Sequence, residues 1–372
     1  MLTKPGLYVH LPWCVKKCPY CDFNSHPLKT DADFAGYTHA LIEDFASQQR
    51  RWSLNEPFAS VFFGGGTPSL FAAEYFALLL KQLPLIDRAP EITMEANPGT
   101  TEHADFSDYL EGGINRLSIG AQSFNDAALQ SLGRIHGAKD TAIAYEQARQ
   151  GGFSNINIDL MWGLPNQSVA QCLADLDAAI ALQPEHISWY QLTLEPKTEF
   201  ARRPPMLPVE NELHRMEQMG IERLAKHGYQ RYEVSAFSQP GYQCRHNRNY
   251  WQFGDYLGLG AGAHGKLSAN GTVLRTNKPH QPRLYLADPL VTVEHEVDAA
   301  NLAFEFMLNT LRLVDGVSFE TFPQQTGLPV DFLEPSWATL VAQNLVREDR
   351  LATTALGFRY LDSVVAAFLP QA

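Results

Sequence analysis

Six short runs of apolar and β-branched residues alternate with stretches of helical periodicity over the first half of the chain. Each run has the length of a strand, and each stretch between runs places its apolar residues three or four positions apart. Strands that alternate with helices in this way form parallel β/α units. Six units predict an α/β protein with a partial, open (β/α)6 barrel rather than a closed eight-stranded one. The predicted strands are 7–11, 61–66, 91–96, 116–124, 155–163 and 186–194.

The rest of the chain is different in composition. One part is rich in glycine, proline, asparagine and aromatic residues and has little periodicity, which is typical of an irregular linker with a β component. The last part contains a strong helical pattern at 299–313, shorter ones at 318–326 and 335–345, and then a turn or wing with a final helix. This order predicts a small winged-helix-like α+β domain. The predicted regions are the barrel at 1–237, the linker region at 238–290 and the C-terminal domain at 291–372.

Charge and hydropathy exclude several classes of partner. The formal net charge of −12 argues against an electrostatic nucleic-acid binder. A DNA-reading wing would be basic, whereas residues 291–372 contain eleven acidic and four basic residues. No apolar run approaches the roughly 20 residues that span a bilayer, and the first residues show no apolar signal segment. We therefore expect a protein that binds no nucleic acid and is located in the cytoplasm. Thiols also stay reduced in that compartment.

Three cysteines lie within eight residues near the start of the chain, in the run CVKKCPYC (Cys14, Cys18 and Cys21). A [4Fe–4S] cluster normally binds four thiolates, and no fourth cysteine lies close by. Three ligands leave one iron open, where S-adenosylmethionine (SAM) can chelate through its amino and carboxylate groups. The alternatives are a zinc site with His26 as fourth ligand, and unligated thiols. A disulfide framework is typical of short secreted chains rather than of 372 residues with five cysteines.

Polar residues and glycines follow the predicted strands, at the end where a parallel barrel binds its ligands. The run FFGGGTPS closes the second strand, and its glycines at 64–66 allow backbone to approach a ligand closely. Glu95, Gln122 and Asp159 close the next three strands, and Arg134 lies between the last two. Each residue alone could be a surface residue or a helix cap. Together they predict a site whose carboxylates hold ribose hydroxyls and whose arginine pairs with a carboxylate of protein or ligand.

These motifs resemble those of a known superfamily. The runs YVHLPWCVKKCPYC and GGGTPS and the strand-end residues are similar to radical SAM enzymes, and within them to the oxygen-independent coproporphyrinogen III oxidase family. The intervals from Glu95 to Gln122, from Gln122 to Arg134 and from Arg134 to Asp159 are similar too. The resemblance covers nearly the whole chain. It implies that the three cysteines hold a [4Fe–4S] cluster within a radical SAM barrel. The residues that it implies in contact with SAM are Tyr8, Tyr20 (near the adenine), Gly65, Gly66, Thr67, Glu95, Gln122, Arg134 and Asp159.

Two features distinguish the chain from the oxidases of that family. The oxidase pattern continues as C-x3-C-x2-C-x-C, and here Phe23 stands at the position of the last cysteine. The run HNRNYW at 246–251 resembles an H-N-x-x-Y-W motif of the family's haem chaperones, which the oxidases lack. Imidazole is a common axial ligand of haem iron, although a polar loop whose aromatic residues pack on the barrel would also explain the run. We expect haem contact by His246, Tyr250 and Trp251, with His246 the first candidate for axial ligand and Cys244 the second.

The resemblance implies a haem chaperone that binds haem and transfers it to haem-requiring acceptors such as respiratory enzymes, with the cluster and SAM taking part. The alternative is a radical SAM oxidoreductase that acts on a porphyrinogen, as coproporphyrinogen III oxidase does. Phe23 and HNRNYW favour the chaperone, so coproporphyrinogen dehydrogenase activity is not expected. The further expectations are transient association with membrane-bound partners and a homodimer. The sequence leaves open the haem acceptor, the covalency of haem attachment, the productive cleavage of SAM and the oligomeric state.

Overall fold

The structure is a computed structural model that describes residues 4–54, 56–87, 89–100, 105–269, 271–334 and 336–370. The outer ends of the predicted regions, at 1–3 and 371–372, and the predicted helix start at 335 lie outside these ranges. The strands are β1 (Gly6–Leu11), β2 (Trp13–Cys14), β3 (His26–Pro27), β4 (Ser60–Gly65), β5 (Glu91–Ala96), β6 (Arg116–Gln122), β7 (Ile156–Trp162), β8 (His186–Gln191), β9 (Gln230–Glu233), β10 (Ala236–Ser238), β11 (Tyr256–Leu259), β12 (His264–Ala269), β13 (Thr272–Asn277) and β14 (Val293–Glu296).

The helices lie mostly between these strands and in the last quarter of the chain. They are α1 (Phe34–Trp52), α2 (Ala73–Leu80), α3 (Phe106–Glu111), α4 (Asp126–Ser131), α5 (Ala138–Gln150), α6 (Val169–Ala181), α7 (Glu199–Arg202), α8 (Glu210–Lys226), α9 (Arg245–Trp251), α10 (Pro282–Ala287), α11 (Ala299–Thr310), α12 (Thr321–Thr326), α13 (Ser336–Ala342), α14 (Ala355–Arg359) and α15 (Leu361–Ala366). Short 3₁₀ helices lie at Pro68–Leu70, Pro98–Thr100 and Val330–Leu333.

One mixed sheet joins twelve of the described strands, in the order β14-β13-β12-β11-β1-β4-β5-β6-β7-β8-β10-β9. Its centre runs from β11 through β1 and β4 to β8, and every neighbour there is parallel. The six predicted strands are β1 and β4 to β8, so the predicted partial barrel of parallel β/α units is confirmed. Antiparallel strands extend both edges of this centre.

The sheet continues through the region that the sequence predicts as a linker. β11 pairs in parallel with β1, and β12, β13 and β14 follow it as antiparallel neighbours. β10 spans the predicted boundary at 237, and β14 lies beyond the one at 290. Periodicity could not reveal β11, because it is four residues long and glycines surround it. The three-part division of the chain stays a prediction.

A second, smaller core forms in the C-terminal part of the described chain. It gathers buried residues from α11, α12, α13 and α15, and it also includes Phe253 and Val273 from the sheet region. Isolated antiparallel bridges join Val317 to Leu351 and Val346 to Thr353, as a minimal ribbon beside the helices. This arrangement agrees with the predicted winged-helix-like domain. Among the described residues no helix is long and apolar enough to cross a membrane.

Candidate functional site

A cavity of about 460 Å³ lies where the parallel strands end. Its volume is within the range of small-molecule and cofactor sites. The cysteine loop, the glycine turn and the strand-end side chains all contribute to its wall, so the structure brings most of the predicted site together. The predicted residues in the wall are Cys14, Cys18, Cys21, Tyr20, Gly65, Gly66, Thr67, Glu95, Gln122, Arg134, Asp159 and Trp251. Tyr8, His246 and Tyr250 are not part of it.

The three thiols are free and partly exposed to this cavity. Arg134 Nη1 donates to Cys18 Sγ at 3.7 Å, and the Ser25 hydroxyl lies 3.9 Å from Cys21 Sγ. Burial raises the pKa of the Cys14 and Cys21 thiols, so a bound cation would be needed to ionise them at neutral pH. No three His, Cys, Asp or Glu side chains in the described ranges surround one ion position, but a [4Fe–4S] cluster takes one thiolate per iron. The donor set therefore fits a three-cysteine cluster.

A chain of hydrogen bonds around Asn24 holds the cysteine loop in position. Asn24 Nδ2 donates to the backbone oxygens of Ala261 at 2.9 Å and His280 at 2.8 Å. His10 Nε2 lies 2.8 Å from the backbone oxygen of Asn24, and His10 Nδ1 lies 3.0 Å from the Tyr8 hydroxyl. Burial lowers the pKa of His10 to about 4, which keeps this imidazole neutral. Tyr8 thus supports the loop, and its predicted contact with SAM stays a prediction.

The glycine turn lies against the cysteine loop so closely that larger residues do not fit. Gly65 has φ = 111°, and a Cβ there would lie 2.5 Å from His10 Cε1. A Cβ on Gly66 would lie 2.5 Å from the Trp13 carbonyl oxygen. Only glycine allows both the positive φ and this approach. The Gly65 N–H then donates to Glu95 Oε2 at 3.2 Å, which joins the turn to the next strand end.

Glu95 and Asp159 place two carboxylates in the cavity wall. Asp159 accepts hydrogen bonds from the Ser118 hydroxyl and from Asn157 Nδ2, each at 2.8 Å. Burial, and then the charge of Asp159, raise the pKa of Glu95 to about 8. Burial also raises the pKa of Asp159. At neutral pH the Glu95 carboxyl is therefore largely protonated without a ligand, and a ligand that offers hydroxyl donors or positive charge favours its ionised form.

A backbone irregularity directs Gln122 and Arg134 into the same wall. The register of β6 against β7 shifts just before Gln122, whose φ is 67°. A side chain with a positive φ at a strand end is a strained arrangement that recurs at functional sites. Gln122 Oε1 accepts from the Tyr190 hydroxyl at 2.7 Å. Arg134 Nη2 donates to the Gly120 carbonyl at 2.9 Å and to Asn97 Oδ1, which holds the guanidinium next to the cysteines.

The HNRNYW run forms the short helix α9 rather than a loop. Glu91 holds its first turn, because Oε2 accepts from Arg245 N and Oε1 from His246 N, each at 3.0 Å. His246 is 1% exposed, and its ring nitrogens meet the Ser60 hydroxyl at 3.0 Å and the Tyr250 hydroxyl at 2.8 Å. Burial lowers the pKa of His246 to about 3. Haem ligation by His246 stays a prediction, and it would require one of these hydrogen bonds to break.

The cavity wall also includes residues that the sequence did not single out. Asn97 directly follows the predicted strand at 91–96, so strand position could have found it. Ser188 and Tyr190 lie inside the predicted strand at 186–194, where strand position did not mark them. Arg312 offered no such signal, because it follows α11 in the C-terminal part of the chain. Its guanidinium carbon lies 4.3 Å from the Trp251 ring centroid.

The other two cysteines lie away from this wall. Cys172 and Cys244 are buried, and burial raises the pKa of each thiol to about 12. Cys244 Sγ donates to Glu91 Oε1 at 3.4 Å. Both are therefore neutral thiols at physiological pH, and Cys244 would ionise only on binding a metal.

Comparison with known proteins gives the class and then the family. Residues 8–179 match the Radical SAM superfamily, and residues 297–360 match the HemN C-terminal domain. The structure matches that of coproporphyrinogen III oxidase (HemN) from Escherichia coli with a TM-score of 0.81 at 22% identity, covering 98% of this chain and 90% of that one. The matched residues thus place the chain in the radical SAM class, and the fold agrees.

Two full-length relatives carry the same name. "Heme chaperone HemW" of Escherichia coli (strain K12) is 44% identical over 373 residues, 98% of each chain. "Heme chaperone HemW" of Haemophilus influenzae is 44% identical over 375 residues, again 98% of each chain. The chain belongs to the HemW family of haem chaperones.

Proposed function

We propose that this protein binds haem and transfers it to haem-requiring acceptor proteins, and that its cavity carries a three-cysteine [4Fe–4S] cluster and SAM. The observation that carries the proposal is one cavity that gathers three free cysteines, three strand-end polar side chains and Arg134, in a chain 44% identical to HemW relatives over its length. The proposed acceptors are respiratory and other haem enzymes, reached in the cytoplasm or by transient association with membrane-bound partners. A homodimer is proposed as the assembly.

The residues divide between the two cofactors. Cys14, Cys18 and Cys21 hold the cluster, and the missing fourth thiolate leaves one iron for SAM. Glu95 and Asp159 accept hydrogen bonds from the ribose hydroxyls of SAM. When bound, cluster and SAM supply redox and radical chemistry, and the chain supplies orientation and charge. The other residues proposed around SAM are Tyr8, Tyr20, Gly65, Gly66, Thr67, Gln122 and Arg134.

Haem contact is proposed at the HNRNYW helix. Trp251 lines the cavity and offers an aromatic surface to a porphyrin, whereas His246 and Tyr250 lie behind it in a closed hydrogen-bond chain. His246 becomes an axial ligand only if haem displaces the Ser60 or Tyr250 hydroxyl from its ring.

The alternative, oxidation of a porphyrinogen, has less support. The likeness to HemN is at 22% identity and concerns the fold alone. Phe23, at the position of the oxidase cysteine, lies at the cavity wall with 65% of its surface exposed. A side chain of this kind cannot ligate iron.

One anaerobic experiment distinguishes the two functions. The reconstituted protein is titrated with haem and then mixed with an apo-form of a haem enzyme, while a second sample receives coproporphyrinogen III, SAM and reductant. We expect stoichiometric haem uptake, transfer to the acceptor, and no protoporphyrinogen. Variants of the cysteine triplet should take up haem but fail to transfer it. Turnover of coproporphyrinogen without haem uptake would overturn the proposal.

A further inference from the structure

One part of the cavity wall lies outside the cysteine loop and is joined by contacts around Arg312. It is formed by the segment between β9 and β10, by α9, and by the residue two positions after α11. Its residues are Glu233, Ser235, Ala236, Asn247, Trp251 and Arg312. We propose that Arg312 binds a carboxylate group of the ligand held at this part of the wall, namely a planar apolar molecule with carboxylate side chains. The inference rests on the proposed function, because the propionates of haem are such groups.

Arg312 is held in place before any ligand arrives. Its Nη2 donates to Glu233 Oε2 at 3.0 Å, and the Glu233 side chain is 4% exposed. Its guanidinium lies over the Trp251 ring, with 4.3 Å from Cζ to the ring centroid. A planar guanidinium fixed by an ion pair and an aromatic face loses little freedom when it binds a second partner. The Arg312 side chain is still 30% exposed, so part of it remains accessible from the cavity.

Several N–H donors of Arg312 and Trp251 lack acceptors among the described residues. A guanidinium has five N–H donors, and in the described ranges only one of those of Arg312 has a recorded acceptor. Arg312 Nε and Trp251 Nε1 are both buried without a partner in that part of the chain. A buried donor without an acceptor costs about 1–3 kcal/mol. Arg312 Nη1 also has no acceptor in the described part of the chain and is not buried, so it is the donor that the acceptor oxygens of a ligand can reach.

The charges along the cavity wall differ. Glu95 and Asp159 form part of the strand-end wall, where burial raises the pKa of both carboxyls, so neither is a partner for a ligand carboxylate. Arg231 lies near Arg312 but does not line the cavity, and its Nε donates to the Val234 carbonyl at 3.1 Å. The only buried acid beside these two guanidinium groups in the described structure is Glu233. Arg312 is therefore the guanidinium that this part of the wall offers to a ligand carboxylate, while Arg134, Lys16 and Lys17 are cations elsewhere in the cavity wall.

The measurement is haem affinity, followed by the Soret band, with two ligands and three proteins. The ligands are haem and its dimethyl ester, which has the same macrocycle and no ionised carboxylate. The proteins are the wild type, Arg312→Gln and Arg347→Gln. Arg347 is a matched control because it pairs with Asp349 on the surface of the same C-terminal part and does not line the cavity.

We expect Arg312→Gln to weaken haem binding roughly tenfold to a hundredfold, as for loss of a charge-assisted hydrogen bond. The ester should bind the wild type and Arg312→Gln equally, since it has no carboxylate to lose. Arg312→Lys, added as a fourth protein, should recover part of the haem affinity, and Arg347→Gln should change nothing. If Arg312→Gln folds poorly, the ratio of haem to ester affinity in the wild type decides alone.

The outcomes separate this inference from the proposed function. Equal affinity of the wild type for haem and ester, or an equal loss for both ligands in Arg312→Gln, would show that Arg312 only joins the C-terminal part to the barrel. Either result overturns the inference and leaves haem binding in place. A wild-type protein that binds neither ligand overturns the proposed function itself.

Discussion

The cysteine loop and the HNRNYW helix both reach the wall of one cavity, yet they present their metal-binding side chains differently. The thiols of the loop are free, partly exposed and open to the cavity. The imidazole of His246 is sealed, and hydrogen bonds occupy both of its nitrogens. A side chain of a metal-binding type can therefore either bind a metal or hold neighbouring side chains in position. Exposure and hydrogen-bond partners decide between these roles, and residue type alone does not.

The largest effect is expected at the cysteine loop. Replacing Cys14, Cys18 or Cys21 singly by Ala should abolish the [4Fe–4S] spectrum after anaerobic reconstitution, because two thiolates cannot replace three. The matched control is Cys172→Ala, which removes a buried thiol of α6 outside the cavity. A full cluster spectrum and iron content in any single triplet variant would show that a different residue is the third ligand.

The second-largest effect is expected at the strand-end carboxylates of Glu95 and Asp159. Glu95→Gln and Asp159→Asn keep the shape of each side chain and remove its charge, so SAM affinity should fall roughly tenfold to a hundredfold. Isothermal titration with SAM measures this loss, and iron content should remain at the wild-type value. Unchanged titrations in both variants would remove the two carboxylates from the SAM site.

At the HNRNYW helix we expect an effect on the stability of the ligand-free protein. His246→Ala leaves the hydroxyls of Ser60 and Tyr250 without their partner, which should lower the free energy of unfolding by about 1–3 kcal/mol. Tyr250→Phe removes one of these hydrogen bonds and should cost less. Denaturant unfolding measures both variants. Wild-type stability in His246→Ala would mean that the hydrogen-bond chain does not support the helix.

The smallest expected effect is a pH dependence of SAM binding. In the free protein the pKa of Glu95 is about 8, so raising the pH from 7 to 9 ionises this carboxyl. If the ionised form accepts the ribose hydroxyls, SAM affinity should rise with pH, by roughly tenfold at most. Glu95→Gln should flatten the profile. An affinity that falls over this range, or an unchanged profile in Glu95→Gln, would contradict the assigned role.

The same raised pKa affects stability with the opposite sign. The ordinary pKa of a glutamate is 4.5, so between this value and about 8 the folded protein binds a proton that the unfolded chain has released. The stability of the ligand-free protein should therefore decrease as pH rises through this window. Thermal unfolding of wild type and Glu95→Gln at pH 5 and pH 8 measures the contribution of this residue.

The sequence predicted the parts of the molecule that depend on local pattern. Six strands followed from periodicity, and Glu95, Gln122 and Asp159 came together because parallel strands end at one edge of the sheet. The parts that depend on distant partners could not be predicted. His246 is sealed by Ser60, which is 186 residues away in β4. Arg312 is held at the cavity by its hydrogen bond to Glu233, which is 79 residues away in the chain. No sequence motif marks Arg312 or Glu233.

The contrast between the two regions is decided by spectra of three proteins recorded side by side under anaerobic conditions. Wild type, Cys18→Ala and His246→Ala are reconstituted with iron and sulfide and then titrated with haem. We predict that Cys18→Ala loses the cluster absorption and keeps the haem band, while His246→Ala keeps the cluster absorption. A displaced haem band in a folded His246→Ala protein would show that haem replaces the Ser60 or Tyr250 hydroxyl at this ring. Loss of the cluster absorption in His246→Ala, or of the haem band in Cys18→Ala, would contradict the account, because the two metal groups would then depend on the same side chains.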